Sequence, residues 1–142
     1  MSEAFELAQE SYNYNEVPVG AIIVNNGKII GRGRNNVITN NDVTSHAEIN
    51  AIKDASKNIQ NYRLVNCQMY VTLEPCHMCA KAIVDSRLKS VIFSTLEPKT
   101  GCIISIDNFL DARHLNHRVE YEYGLMQKES TDLLKSFFEK RR

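Results

Sequence analysis

Two short segments hold residues whose types and spacing suit metal chemistry: His46-Ala47-Glu48, and Pro75-Cys76-His77-Met78-Cys79 further along the chain. Cysteines three apart on a helix share a face, so Cys76 and Cys79 can present both sulfurs to one ion. His46, brought from another helix, adds a third ligand, which leaves a tetrahedral Zn²⁺ one open position. An open position suits a catalytic zinc, because a water bound there loses its proton near neutral pH and becomes a nucleophile. Glu48 is a poor fourth ligand in a thiolate-rich site and is assigned to general acid and base work. Positions two apart point away from each other along a regular helix, so His46 and Glu48 converge only if the metal lies off the helix tip.

Each of these residues also has a plainer reading. A lone C-x-x-C fits a redox pair or half of a structural zinc site, and it is the added H-x-E and proline that favour catalysis. His77 would complete a closed four-ligand site, but as the neighbour of Cys76 it projects from a different helix face. Cys67 falls in a strand pattern and reads as a core hydrophobe. Cys102, Met69 and Met78 suggest no chemistry.

The N-terminal MSEAFELAQESYNYNE lacks the basic stretch and continuous apolar run of a secretory signal, and no apolar segment approaches transmembrane length. The four cysteines therefore read as thiols or metal ligands in a reducing cytoplasm, with no membrane contact. At 142 residues and 43% hydrophobic content, the chain is expected to form one domain over 1–142. Its formal net charge is zero, so a polyanion would have to be held by a local patch rather than by the overall balance.

The elements that must position the site follow from periodicity. Ala4, Phe5, Leu7, Ala8 and Ser11 form a helical stripe, and residues 17–24 read as a strand. Asn25-Asn26-Gly27 is a hairpin signal, after which 28–31 resume as a second, antiparallel strand. Residues 34–45 are polar, Asn-rich and without period, and end at Thr44-Ser45, either of which can cap a helix opening at His46. That helix places Ile49, Ile52 and Ala55 on one side. A strand at 67–73 leads to a helix over 76–87, for which Pro75 is a suitable start. Both ligand segments thus fall at helix N-termini, where unpaired N–H groups favour thiolate and hydroxide. A strand at 90–94, a loop containing Pro98-Lys99-Thr100-Gly101, a short helix near 108–113, a strand at 119–123 and a closing helix over 126–142 complete the chain. The alternation implies an α/β domain, a mixed sheet flanked by helices.

H-x-E followed by P-C-x-x-C is the signature of the zinc nucleobase deaminases. The chain resembles, more narrowly, the bacterial tRNA adenosine deaminases of the cytidine and deoxycytidylate deaminase superfamily. The segments that carry the likeness are Glu16-Val17-Pro18-Val19-Gly20-Ala21, His46-Ala47-Glu48-Ile49, Asn61-Tyr62-Arg63-Leu64, Val71-Thr72-Leu73-Glu74-Pro75-Cys76, Lys99-Thr100-Gly101, Asn116-His117-Arg118-Val119 and Phe137-Phe138. The resemblance implies a three-layer α/β/α fold of the cytidine-deaminase type around a mixed five-stranded sheet. It also implies one Zn²⁺ per subunit on His46, Cys76 and Cys79, with Glu48 as the proton carrier. The implied reaction is hydrolysis of adenosine to inosine and ammonia at the wobble position of a tRNA anticodon, performed by a homodimer.

By position, the resemblance places Asn35 against the target nucleotide, the Glu74 backbone at the pocket around the leaving amine, and Lys99, Phe138 and Arg142 against the anticodon loop. Asn35 alternatively shapes a turn, Phe137 and Phe138 fit a helix core face, and Lys140-Arg141-Arg142 fits a solvated end. Glu97 stands near the ribose where the family has aspartate, with Leu96 before it, and His77 replaces the usual apolar residue between the cysteines. Deaminases of a free base or nucleotide, such as guanine or deoxycytidylate, share the zinc motif, but the likeness along the whole chain argues against them. A noncatalytic, zinc-stabilised RNA-binding subunit would have no need of Glu48.

Overall fold

The computed structural model of the chain describes residues 1–141; Arg142 lies outside the described residues. Helix α1 (Ser2–Asn13) precedes the strands β1 (Gly20–Asn25) and β2 (Lys28–Arg34). Helices α2 (Val37–Asn40) and α3 (Ala47–Ile59) follow, then β3 (Gln68–Leu73), α4 (His77–Asp85) and β4 (Ser90–Thr95). A 3₁₀ turn at Phe109–Asp111, β5 (Glu120–Tyr123) and α5 (Gln127–Glu139) close the chain. The sheet runs β2-β1-β3-β4-β5, antiparallel at β2/β1 and β1/β3 and parallel at β3/β4 and β4/β5. This is the expected mixed five-stranded sheet with helices on both sides.

The hairpin turns at Asn26 and Gly27, with φ of 52° and 76°, the pair of positive angles a two-residue turn needs to match strand twist. Register then decides the faces. Ala21, Val71 and Phe93 lie side by side across three strands, as do Ile23, Met69 and Val91, and both rows join the buried core beneath α3 and α4. Ile22, Tyr70 and Ile92 alternate to the opposite face, which α1 and α5 cover.

Strand β2 continues to Arg34, beyond the end at residue 31 read from the pattern, and the extension is what seats α3. A Cβ on Gly31 would stand 2.6 Å from the Ala51 carbonyl oxygen and from the Ala55 Cβ, and one on Gly33 would overlap the Ala47 oxygen and the Ala51 nitrogen. Glycine in a strand marks such a close backbone approach. The facing residues of α3 are correspondingly small: Ala47, Ala51 and Ala55, four apart and without exposed surface. This corrects the stripe read from the sequence, since Ile49 and Ile52 are only half-buried. At this spacing the sheet accepts methyl groups and excludes longer side chains.

Other boundaries also differ. His46 is itself the N-cap of α3, in extended conformation, so neither Thr44 nor Ser45 caps the helix. Cys76 occupies the same place before α4, which ends at residue 85. The polar stretch 34–45 contains the short helix α2, which has no apolar period and therefore no sequence signal. Among the described residues no helix is long and apolar enough to cross a membrane.

Replacing Gly33 by alanine is expected to destabilise the protein by about 3 kcal/mol, because backbone atoms of α3 cannot yield to the new methyl group. In a thermal scan this corresponds to a fall in Tm of about 10 °C. An unchanged Tm would show that α3 does not depend on this contact.

Candidate active site

The tips of α3 and α4 meet above the sheet. His46 turns Nδ1 toward both cysteines, 3.7 Å from Cys76 Sγ and 3.4 Å from Cys79 Sγ, and the three ligand atoms lie within 4.8 Å of one another. Zn–S bonds of about 2.3 Å and a Zn–N bond of about 2.0 to 2.1 Å in tetrahedral geometry would separate nitrogen from sulfur by about 3.6 Å. The three side chains fit zinc on both spacing and donor type.

Protonation agrees. The hydrogen bond from the Cys79 thiol, aided by His46, lowers Cys76 to about 4, so it is a thiolate at neutral pH. The same Cys76–Cys79 hydrogen bond, together with burial, pushes the Cys79 thiol up. A cation shared by both sulfurs supplies the charge that a second thiolate requires.

Glu48, in the first turn of α3, is 4% exposed. Burial pushes its carboxyl up to about 7, which suits a group that must accept and return a proton at neutral pH. Glu48 lines the same cleft as His46 and Cys76, so the convergence that regular helix geometry forbids is achieved at the helix tip. The cleft measures about 310 Å³, with Val17, Val19, Val37 and Leu73 among its apolar lining residues.

Asn35 is buried in the cleft wall. Its Nδ2 donates to the Val17 carbonyl at 3.2 Å, and its Oδ1 has no protein partner. Glu97 lines the cleft too, but its carboxylate turns back to accept the Lys99 N–H at 3.0 Å. A second cavity, a groove of about 680 Å³, lies between the Leu96–Lys99 segment and α5. Lys99, Lys135, Arg141 and Phe138 line it, and Leu73 and Glu97 belong to both cavities. The two phenylalanines of α5 separate: Phe137 is 3% exposed and sits in the core, whereas Phe138 is 48% exposed in the groove. Only Phe137 therefore matches a core face. Arg142 lies outside the described residues; Arg141 lines the groove.

Two site carboxylates had no visible role in the sequence. Glu16, 1% exposed, accepts the N–H groups of Ile38 at 3.0 Å and Thr39 at 2.7 Å and the Thr39 hydroxyl at 2.7 Å. It thereby replaces the absent side-chain cap of α2 from 22 residues away and fixes the wall that carries Val37 and Ile38. Glu74, placed at the site for its backbone, lines the cleft, and its carboxylate is bound by donors of the loop 97–105. An acid set among apolar residues beside a buried strand is the one cue the sequence offers for either.

A mixed sheet between two helical layers, with a His–Cys–Cys cluster beside a buried glutamate, defines a hydrolytic deaminase domain. A family model described as MafB19-like deaminase matches residues 1–142. The tRNA-specific adenosine deaminase of Haemophilus influenzae is 47% identical over 143 residues, covering 100% of this chain and 83% of that protein. The enzyme of the same name from Aquifex aeolicus is 47% identical over 139 residues, covering 98% and 91%. A structure solved in studies of A-to-I editing by tRNA:A34 deaminases at the wobble position of transfer RNA superposes with a TM-score of 0.92 at 36% identity, covering 94% of this chain and 97% of that one. The guanine deaminase of Nitrosomonas europaea, at 20% identity and a TM-score of 0.80, shares the fold. The chain belongs to the MafB19-like deaminase family and, within it, to the tRNA-specific adenosine deaminases.

Two measurements test the site. Cys76→Ala leaves two ligands, and metal analysis after purification should find zinc well below the parent's stoichiometry; full retention would remove Cys76 from the ligand set. Glu16 is buried, which alone would raise its pKa, but its backbone and hydroxyl donors outweigh that and hold it below the usual 4.5. Its stabilising effect is therefore complete above pH 4.5 and lost as pH falls through the lower folded value. Glu16→Gln should be less stable than the parent at neutral pH, with the gap narrowing below pH 4.5 in denaturant titrations.

Proposed function

We propose that this chain hydrolyses adenosine to inosine at the wobble position of a tRNA anticodon. The observation that carries the proposal is the meeting of three metal-ligand atoms with a buried, readily protonated Glu48 in a nucleotide-sized cleft that adjoins a groove lined by three cationic and two anionic side chains. Zinc held by His46, Cys76 and Cys79 would supply a water of lowered pKa.

Glu48 is placed to accept a proton from the attacking water and give it to adenine N1, which opens C6 to the water oxygen; it would then take the proton of the new C6 hydroxyl and pass it to the amine, so that the C6–N bond breaks as the C6 carbonyl forms and ammonia leaves. The apolar cleft walls exclude bulk water around the base and so strengthen these transfers. The unpartnered Asn35 Oδ1 is an acceptor waiting for a donor on the flipped nucleotide. Lys99, Lys135 and Arg141 outnumber Glu97 and Glu139 in the groove and supply the local positive charge that a chain of zero net charge must concentrate to hold RNA, and Phe138 offers a face for a flanking base. Arg142 joins this group in our reading, as does Glu97 at the ridge between the cavities. An anticodon loop presents its base already unstacked, which reduces the work of extrusion.

The remaining assignments follow from the same reading. The chain acts as one deaminase domain over 1–142, in the cytoplasm, as a homodimer with one zinc per subunit. The family to which it belongs and the tRNA substrate support these points.

The purified protein should convert adenosine to inosine in an anticodon stem-loop RNA with A at the wobble position, and leave free guanine and deoxycytidylate unchanged. Glu48→Gln should lower that rate by at least about 100-fold while zinc content stays at the parent level. Deamination of a small substrate in place of the RNA would overturn the tRNA assignment. Full activity of the variant would overturn the role of Glu48.

A further inference from the structure

Glu74 stands two residues before Cys76, and five donors hold its carboxylate. One oxygen accepts the Glu97 N–H at 3.0 Å and the Ser105 hydroxyl; the other accepts the N–H groups of Ile103 at 3.0 Å, Ile104 at 2.7 Å and Ser105 at 2.9 Å. These donors bracket the whole loop 97–105. The Gly101 N–H closes the loop on the Glu97 carbonyl at 2.8 Å, and a Cβ at Gly101 would overlap the Glu74 carboxylate. The loop is folded around this one charged group. A further bond, from the Cys102 N–H to the Pro75 carbonyl at 3.0 Å, ties it to the residue beside the ligand Cys76.

The loop matters because it forms the ridge between the two cavities. Glu97 and Thr100 face the cleft, while Glu97, Pro98 and Lys99 face the groove. We infer that Glu74 is a positioning residue for the reaction: its carboxylate sets where this ridge stands relative to the metal ligands, and so aligns RNA in the groove with the base in the cleft. Its carboxylate is taken up by the loop donors and acts through the loop. The inference rests on the RNA reading above. A small displacement of the ridge weakens the grip of the groove on the RNA that flanks the base, and hydrogen bonds to an ionised acceptor are strong enough to prevent one.

Glu74→Gln keeps the shape but offers one acceptor oxygen and turns an NH₂ toward the remaining donors. Gly101→Ala leaves Glu74 intact and pushes the loop off its carboxylate, so it tests the same contact from the other side. Each zinc-loaded variant is compared with the parent on the anticodon stem-loop RNA. Both should raise KM by about 10-fold or more with kcat changed less than about threefold. Zinc stoichiometry should stay at the parent level, and the amides of Glu97, Ile103, Ile104 and Ser105 should exchange with deuterium about 10-fold faster or more. Ser105→Ala, which removes one donor of five, should move every reading in the same direction by less.

Parental KM, or parental exchange at those amides, in either variant that folds would overturn the positioning role. Loss of zinc, or a fall in kcat at constant KM, would also overturn it, because Glu74 would then act on the metal segment. A parent that makes no inosine would overturn the functional reading instead, and the exchange measurement would still decide whether Glu74 holds the ridge.

Discussion

The close approach of α3 to β2 is the constraint on which the rest of the structure depends. Two glycines on the strand and three alanines on the helix leave no side chain between the backbones, so the helix cannot shift or roll without a clash. A rigid seat at the body of α3 fixes its tip, and the tip carries His46 and Glu48. Pressing the helix so near the sheet also takes Glu48 out of water, which a side chain on the opposite face of the helix would have escaped. The same packing that aims the carboxyl also raises its proton affinity, to about 7. Its proton affinity comes from where the helix lies more than from any single neighbour.

Around that fixed tip, polar groups of the backbone do work that side chains usually do. Both His46 and Cys76 are extended N-cap residues without side-chain caps, so the first N–H groups of α3 and α4 point toward the ligand cluster. The cleft walls are held in the opposite sense, by carboxylates reaching to backbone donors in α2 and in the loop 97–105. Such bonds gain strength in a medium that excludes water, and they fix wall positions without filling the cleft with side chains. The arrangement keeps a pocket open beside a packed core.

Much of this was legible in the sequence, for reasons that are local. Cys76 and Cys79 are close in space because helix geometry makes them so, and Asn26-Gly27 turns the chain wherever it occurs between strands. The alternation of strand and helix sufficed for the mixed sheet. What escaped depends on partners distant along the chain. No period marks α2, because its stability comes from Glu16, 22 residues earlier. The sequence pattern of α3 points toward isoleucine because hydrophobicity ranks Ile49 above Ala51, whereas the nearness of Gly31 and Gly33 ranks size first. Phe137 and Phe138 are adjacent and chemically identical, and only helix rotation against the sheet separates a core residue from a groove residue.

The ligand atoms come from two structural halves. His46 belongs to the hairpin and the helix seated on it, whereas Cys76 and Cys79, 30 residues or more along the chain, belong to the parallel β3–α4–β4 unit. An ion held by all three is therefore a cross-link as well as a reagent. It binds the docked halves and has no comparable site in the open chain, so its affinity adds to the stability of their junction. Chelation would loosen the seam between the halves before it disturbed the interior of either, making catalytic competence and mechanical integrity two readings of one equilibrium.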